Sequence, residues 1–481
     1  MSSKRSPGSG PVGIRTAKWL AAAVSGLVLA TVHAAQPVTD LAVERSAAAA
    51  VSEARMVETV RRLVKFGPRM AGTPSNHEAA RWLAGAFREA GLEAAIRDDQ
   101  PRDWYQPDSW EVRVAAEGER SGNILKTAWP STGSPSARGA ALVALGAAPG
   151  AVCLVSQNPT PETTTGCAAV LFDGRATPSG WPNVGRLRGA GWKIPVFVVS
   201  PSETESIRER LSKGGKVNVS FSLEARSGSG PPQTVIATFP GRDRSRHILF
   251  CAHGDSDSGG PGANDNASGV AIVLEIARTA AALVKAGKLS PAWDLRFAVW
   301  GGEISSTRQY VAAMGEDRSM LRAVFNYDQS GYGTSKDALY VEPDDVAANK
   351  ELITLVRAVM KDHLGKDGFP ARAASVKTQG GTDSYAFQSS KTPGATVYPA
   401  VTLYTSAWDR ERPQPLTEGF PPLNWYQEDK PGMVTVDGDS FYHSAGDRPE
   451  NTTDREPSNM GWCARVGLLS ALRLMKTNMG K

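Results

Sequence analysis

Beyond residue 231, short runs rich in Val, Ile and Phe alternate with long helical periodicities. No other feature of the chain restricts its fold as strongly. The runs TVIATFPG, HILFCAHGD, DLRFAVWGGE, AVFNYDQSG and LYVEP read as strands, and ASGVAIVLEIARTAAALVKAG and NKELITLVRAVMKDHLG as helices between or after them. Strands separated by helices pair in parallel through crossovers, so a mostly parallel mixed α/β sheet with helices on both faces is expected. Upstream, Met56, Val60, Leu63 and Val64 fall on one helical face. Ala79, Leu83, Phe87 and Leu92 repeat the pattern after the turn GTPS. Two amphipathic helices and a strand near 92–96 follow from this spacing. A closing helix is expected over about 458–474.

From about 140 to 225 the pattern changes to β-rich runs, AVCLVS, AAVLFDG, IPVFVVS and VNVSFSLEA, with the single helix SETESIRERLSKG. Residues 104–140 read as irregular, and RSGSGPPQ at 226–233 as a Gly/Pro/Ser linker. The expected organisation is a leader over 1–34, a main α/β unit from 50–125 and 231–481, and a β-rich domain over 126–230 inserted into it.

The formal net charge is +5, yet Lys4, Arg5, Arg15 and Lys18 all lie in the first 34 residues, which hold no acid. The remaining chain has 50 basic and 49 acidic residues, which excludes a bulk basic field for nucleic acid. Those four bases precede the apolar run Trp19 to Val32 and the small residues Ala34 and Ala35, the parts of a cleaved secretory signal. The run is short of the roughly 20 residues that a membrane span needs. The expected product is therefore secreted or periplasmic, without stable membrane insertion. Of the four cysteines, Cys153 and Cys167 are spaced to pair in an oxidising compartment, and Cys251 closes an apolar run as a core thiol. There is no CxxC, which argues against thiolate metal chemistry.

Polar groups cluster just past the strand ends. His253, Asp255 and Asp265 follow HILFC, Glu303 follows RFAVW, Asp328 follows AVFNY, and FYHSAGD supplies His443. Ligands of open α/β sheets bind beyond the carboxyl ends of the strands, so these groups can meet in one crevice. Imidazole and carboxylate without thiolate form the donor set of a hydrolytic zinc or related site. Two such ions about 3.5–4 Å apart would share one carboxylate. Singly, His253 could be a core histidine, Asp265 a helix cap and Asp328 a turn residue. Asp257-Ser258-Gly259-Gly260-Pro261 imitates the nucleophile loop of chymotrypsin-like proteases, but its βα surroundings and the lack of a placed histidine exclude that reading.

The segments FGPRMAGTPSNHEAA, AHGDS, GANDNASG, VWGGE, NYD, GGTDSYAF and FYHSAGD together resemble metallopeptidase family 28, the co-catalytic zinc aminopeptidases and related carboxypeptidases. The likeness runs from about residue 56 to 470, and the β-rich block resembles the protease-associated domain inserted in such proteins. The resemblance implies that His253, Asp265 and Asp328 hold one zinc ion, and that Asp265 and His443 contribute to a second. It also implies that Asp255 orients His253 and that Glu303 is the general base. Members carry two adjacent glutamates, the second a ligand to the second ion, whereas here Ile304 follows Glu303. The segment ISSTRQYV after it is also about three residues short. Three outcomes stay open: Glu303 as base beside a weakened second site, Glu303 as ligand with the base lost, or another acid such as Asp383 or Asp255 in the vacancy. The implied function is an exported exopeptidase for peptide or dipeptide substrates using one or two zinc ions, most simply an aminopeptidase. A carboxypeptidase or dipeptidase, a cyclase-like single-zinc enzyme and a non-catalytic binding relative are the alternatives. The stretch from 384 to 442, with Trp408, Trp425 and Tyr426, reads as a lid or a packed surface loop.

Overall fold

The computed structural model describes residues 41–477 except 120–121, 175, 185–190, 257–259, 334, 380, 389–396, 408–409 and 426–431. The leader over 1–34, Asp257 to Gly259, Gly380, Trp408 and Tyr426 thus lie outside the described residues.

Eight strands form the main sheet. From one edge to the other they are Glu93–Asp98, Gln233–Phe239, Trp293–Trp300, Asp243–His253, Leu321–Tyr327, Ala400–Tyr404, Ala338–Glu342 and Arg372–Ser375. The four central strands pair in parallel. Antiparallel pairing appears only toward the two edges of this sheet. The period-2 geometry of a strand explains how residues 247–253 of the strand Asp243–His253 are buried on both sides. Ile248, Phe250 and Ala252 join the larger core with helices Glu53–Val64, Pro74–Glu89, Gly269–Lys285 and Pro457–Thr477. Leu249 and Cys251 face the opposite core with Tyr310 and Phe387 from the shorter helices Ser305–Ala313 and Ser384–Gln388. The mixed α/β fold expected from the alternation is therefore observed, with helices on both faces.

The β-rich block forms a second eight-stranded sheet. It begins earlier than its local pattern suggests, because residues 102–116 are not irregular. Arg102–Ala116 pairs antiparallel with Val217–Gly230 along its whole length, from Arg102 opposite Gly230 to Ala116 opposite Val217. The apparent linker at 226–230 is the end of that partner strand. Its glycines make room for an indole: a Cβ at Gly228 would lie 2.6 Å from Trp104. The partner is about a hundred residues away in sequence, so the pairing leaves no local signal in either segment.

Cys153 and Cys167 form a disulfide across a separation of 14 residues. Cys251 and Cys463 are buried free thiols. Closing a loop of this length removes about 3 kcal/mol of unfolded-chain entropy. The double variant Cys153→Ser/Cys167→Ser is therefore expected to unfold at lower denaturant with a loss of about 3 kcal/mol. A change below about 0.5 kcal/mol in equilibrium unfolding would show that this bridge does not stabilise the sheet.

Candidate metal centre

Three adjacent parallel strands deliver the site. His253 is the last residue of Asp243–His253 and stands in register with Trp300 at the end of its neighbour. Glu303 follows that neighbour by three residues, and Asp328 directly follows Leu321–Tyr327. Asp265 lies in the turn Ala263–Ser268 that opens the apolar helix Gly269–Lys285. His443 comes from a loop 115 residues beyond Asp328 in sequence, with a left-handed φ of 49°.

The structure brings His253, Asp265 and Asp328 together, with donor atoms within 4.8 Å of one another and all three residues buried. His253 Nε2 lies 3.3 Å from Asp265 Oδ1 and 3.5 Å from Asp328 Oδ1. The other Asp265 oxygen lies 3.0 Å from His443 Nε2. One carboxylate therefore faces both imidazoles, one on each oxygen. Burial alone would lower the pKa of His253, but the carboxylates of Asp328, Asp255 and Asp265 together hold it well above the usual histidine range. Burial also opposes ionisation of Asp265, yet His253 and His443 keep it well below the usual carboxylate range. His253 Nε2 and Asp328 Oδ1 are buried without a hydrogen-bond partner. Buried donors left unsatisfied are costly unless a cation occupies the gap, so these residues fit a divalent ion.

The surrounding contacts fix the orientation of each donor. His253 Nδ1 is 3.1 Å from both the backbone oxygen and the Oδ1 of Asp255. The same Oδ1 accepts the Glu303 backbone N–H at 3.0 Å. Asp255 thus holds the imidazole from behind and does not fill the position next to Glu303. Nor does Asp383: its Oδ1 accepts the Ile304 N–H at 2.8 Å and also the Thr307 hydroxyl. Neither of the two substitute acids expected from the sequence joins the cluster of His253, Asp265 and Asp328. Ile304 has a φ of 54°, a strained setting for a β-branched residue, and its Cδ1 lies 3.3 Å from where a Cβ of Gly381 would be. Glu303 itself lines the cleft with Asp265, Asp328 and His443. Burial raises its carboxyl well above the usual range; His253 opposes this, and Asp328, Asp383 and Asp265 add to it.

Several supporting residues escaped the sequence reading. The Thr382 hydroxyl donates to Asp328 Oδ2 at 2.7 Å. Asp447 accepts the backbone N–H groups of Asn264 at 2.7 Å and Asp265 at 3.0 Å, which fixes the turn that carries Asp265. Both sit in motifs already singled out, GGTDS and FYHSAGD, but their partners are remote in sequence. Arg69 is completely buried and donates to the carbonyls of Gly254, Pro261 and Gly262 at 3.2, 3.0 and 2.8 Å. It therefore fastens both ends of the loop between His253 and Asp265. Arg69→Met would leave these carbonyls without their donor at an expected loss of about 3 kcal/mol. Chemical denaturation of the metal-loaded protein measures this; a change within about 0.5 kcal/mol would contradict the assigned role.

The β-rich sheet also reaches the site. Val184 N–H donates to the His443 carbonyl at 2.9 Å, and Asn183 bridges to Ser444. Ser179 Oγ donates to the Ser440 carbonyl at 2.6 Å. Trp181 lies against Gly446, where a Cβ would come within 2.4 Å of the indole, and Arg448 sits 5.3 Å over its ring. Ala445 is fully buried in the core formed by Cys153, Cys167, Val170 and Val196. Trp425 packs against Tyr340 and Arg372 rather than over the cleft.

Comparisons with known proteins agree with this geometry. Residues 234–466, which hold every clustered donor, match the model of peptidase family M28. A probable lipoprotein aminopeptidase, LpqL of Mycobacterium tuberculosis, is 30% identical over 181 residues, 37% of this chain and 34% of that protein. Aminopeptidase YwaD of Bacillus subtilis is 23% identical over 310 residues, 59% of this chain and 63% of the relative. The chain thus spans from about a third to under two thirds of the length of these relatives. The solved structure of BSAP, a zinc aminopeptidase from Bacillus subtilis, superposes with a TM-score of 0.52 at 19% identity, covering 88% of this chain and 95% of the other. The fold, the motifs and the comparisons converge on one segment: residues 234–466 of this chain match peptidase family M28.

Proposed function

We propose that the protein is an exported, metal-dependent aminopeptidase. The observation that carries this reading is the Asp265 carboxylate set between His253 and His443, with Asp328 beside it and Glu303 in the same cleft. His253, Asp265 and Asp328 would hold one zinc ion. Asp265 and His443 alone would face a second, since Ile304 offers no donor. A bound divalent ion supplies Lewis acidity, polarising a carbonyl and making water a nucleophile near neutral pH. Glu303 accepts a proton from the attacking water at a carboxylate oxygen and returns it to the departing amine nitrogen. Asp255 keeps His253 Nδ1 engaged, so that Nε2 is presented to the cleft.

Charge supports cleavage from the amino end. Asp265, Glu303, Asp328 and Glu342 line the cleft, and neither Lys nor Arg is among its described lining residues. Such a surface attracts an α-ammonium group and repels a terminal carboxylate. The names of the compared relatives point the same way.

The β-rich sheet is read as the protease-associated-like insertion, entering and leaving through the paired strands Arg102–Ala116 and Val217–Gly230. The Cys153–Cys167 bridge supports an oxidising compartment, in keeping with a secretory leader over 1–34.

The test is hydrolysis of aminoacyl-nitroanilides that chelator abolishes and zinc restores, together with the metal content of each chain. Activity at about one ion per chain supports a single tight site with Glu303 as base. Failure to cleave amino-free and carboxyl-free substrate panels by a folded, metal-loaded protein would refute the enzymatic reading in favour of a binding relative.

A further inference from the structure

The loop that carries His443 is held from two directions. Near its ends it is tied to the turn of Asp265: Asp439 accepts from the Asn264 side chain at 2.8 Å, and Asp447 from the Asn264 and Asp265 N–H groups. Its middle rests instead on a loop of the β-rich block, between the strands Ala169–Phe172 and Val196–Val198. Val184 N–H donates to the His443 carbonyl at 2.9 Å, and Ala445 N–H to the Pro182 carbonyl at 3.4 Å, so the two loops pair antiparallel about Asn183 and Ser444. His443 itself has a left-handed φ of 49°. Such a backbone setting costs a non-glycine residue about 1 kcal/mol or more and persists only where the surroundings enforce it. At His443 the surroundings include Val184.

Trp181 anchors this pairing. Its carbonyl accepts the Thr177 N–H at 2.8 Å, which closes the turn that presents the indole. The ring lies against the backbone of Gly446, where a Cβ would come within 2.4 Å of it, and Gly446 does not have a positive φ. Glycine is needed at 446 for the close approach, then, and not for the turn. Arg448 sits 5.3 Å over the same ring, and its Nε donates to the Ala445 carbonyl at 2.9 Å. A second ion would find only Asp265 and His443 as donors, since Ile304 offers none. Its binding therefore depends on how firmly each of the two is set in place beforehand. We propose that Trp181 is a positioning residue for His443, through which the β-rich block sets the affinity for that second ion. The first ion, at His253, Asp265 and Asp328, is left to the main sheet. This rests on the metal-dependent reading and adds to it a residue from outside the matched segment 234–466.

Equilibrium dialysis of the full protein against a zinc series, with elemental analysis, reads both ions. The wild type is expected to fill a first ion at low zinc and a second at higher zinc. Trp181→Ala should raise the zinc needed to half-fill the second about tenfold or more, the range for residues that orient a metal ligand, with the first unchanged within about twofold. Trp181→Phe keeps a ring between Gly446 and Arg448 and should recover most of that loss. Gly446→Ala presses on the same contact from the other side. It should give a similar shift alone and little further shift in the Trp181→Ala background. Unchanged filling of the second ion in Trp181→Ala would overturn the inference, as would no recovery with phenylalanine or fully additive shifts with Gly446→Ala. Equal weakening of both ions would also overturn it, because it would mark a general loosening rather than a hold on His443. A wild type that takes up one ion only would overturn it and leave the aminopeptidase reading intact. Uptake of no zinc by the folded wild type would defeat the metal-dependent reading itself, and this inference with it.

Discussion

Asp265→Asn is expected to lower kcat/KM by roughly 10³-fold or more and to reduce bound metal to well under one ion per chain. The substitution keeps the side-chain volume and the backbone bonds to Asp447, but removes a charge that faces both His253 and His443. Metal-assisted polarisation contributes several kcal/mol to such a reaction, and each 1.4 kcal/mol is about a factor of ten. Elemental analysis of dialysed protein and initial rates in zinc-buffered solution measure the two effects. An asparagine variant that retains full metal and activity would show that Asp265 is a cap for the helix Gly269–Lys285 and nothing more.

Glu303→Gln is expected to separate two roles that the sequence leaves open. As the base, Glu303 is required for proton transfer only. The glutamine variant should then keep its metal and a near-normal KM while kcat falls by roughly 10²–10⁴-fold. As a ligand, Glu303 would carry metal away with it, and both the metal content and the thermal stabilisation by zinc would fall. The base assignment rests on its place in the cleft, apart from the clustered donors, with its backbone fixed on Asp255. A variant with normal kcat would refute it.

Much of the fold and part of the candidate site were legible before any coordinates. The alternation after residue 231 encodes the parallel sheet because each parallel strand needs a crossover, and a crossover helix has its own period. Three of the candidate site residues are readable from their place at strand ends: His253 closes one strand, Asp328 directly follows the next, and Glu303 stands three residues past a third. The ribbon Arg102–Ala116 was not readable, since its partner lies at 217–230 and no local period records a pairing at that distance. RSGSG looks like a linker for the same reason that it works as a strand: glycine clears space for Trp104, and clearance leaves no hydrophobic trace. Asp383 looked like a spare ligand in the sequence; in space its Oδ1 accepts the Ile304 N–H, outside the cluster of His253, Asp265 and Asp328. Arg69 and Asp447 were hidden in a different way. Their partners are backbone groups, and backbone is the same at every position of a sequence.

The loop that carries His443 rests on a foundation made much earlier in the chain. The strands over 102–230 all precede residue 443 in the chain. Ala445 can bury itself only when the core around Cys153 and Cys167 is already in place. The earlier sheet is therefore a mould for the loop that carries His443, which reaches its position only on that core. A chain cut short of this segment would carry His253, Asp265 and Asp328 but lack the second imidazole that faces Asp265.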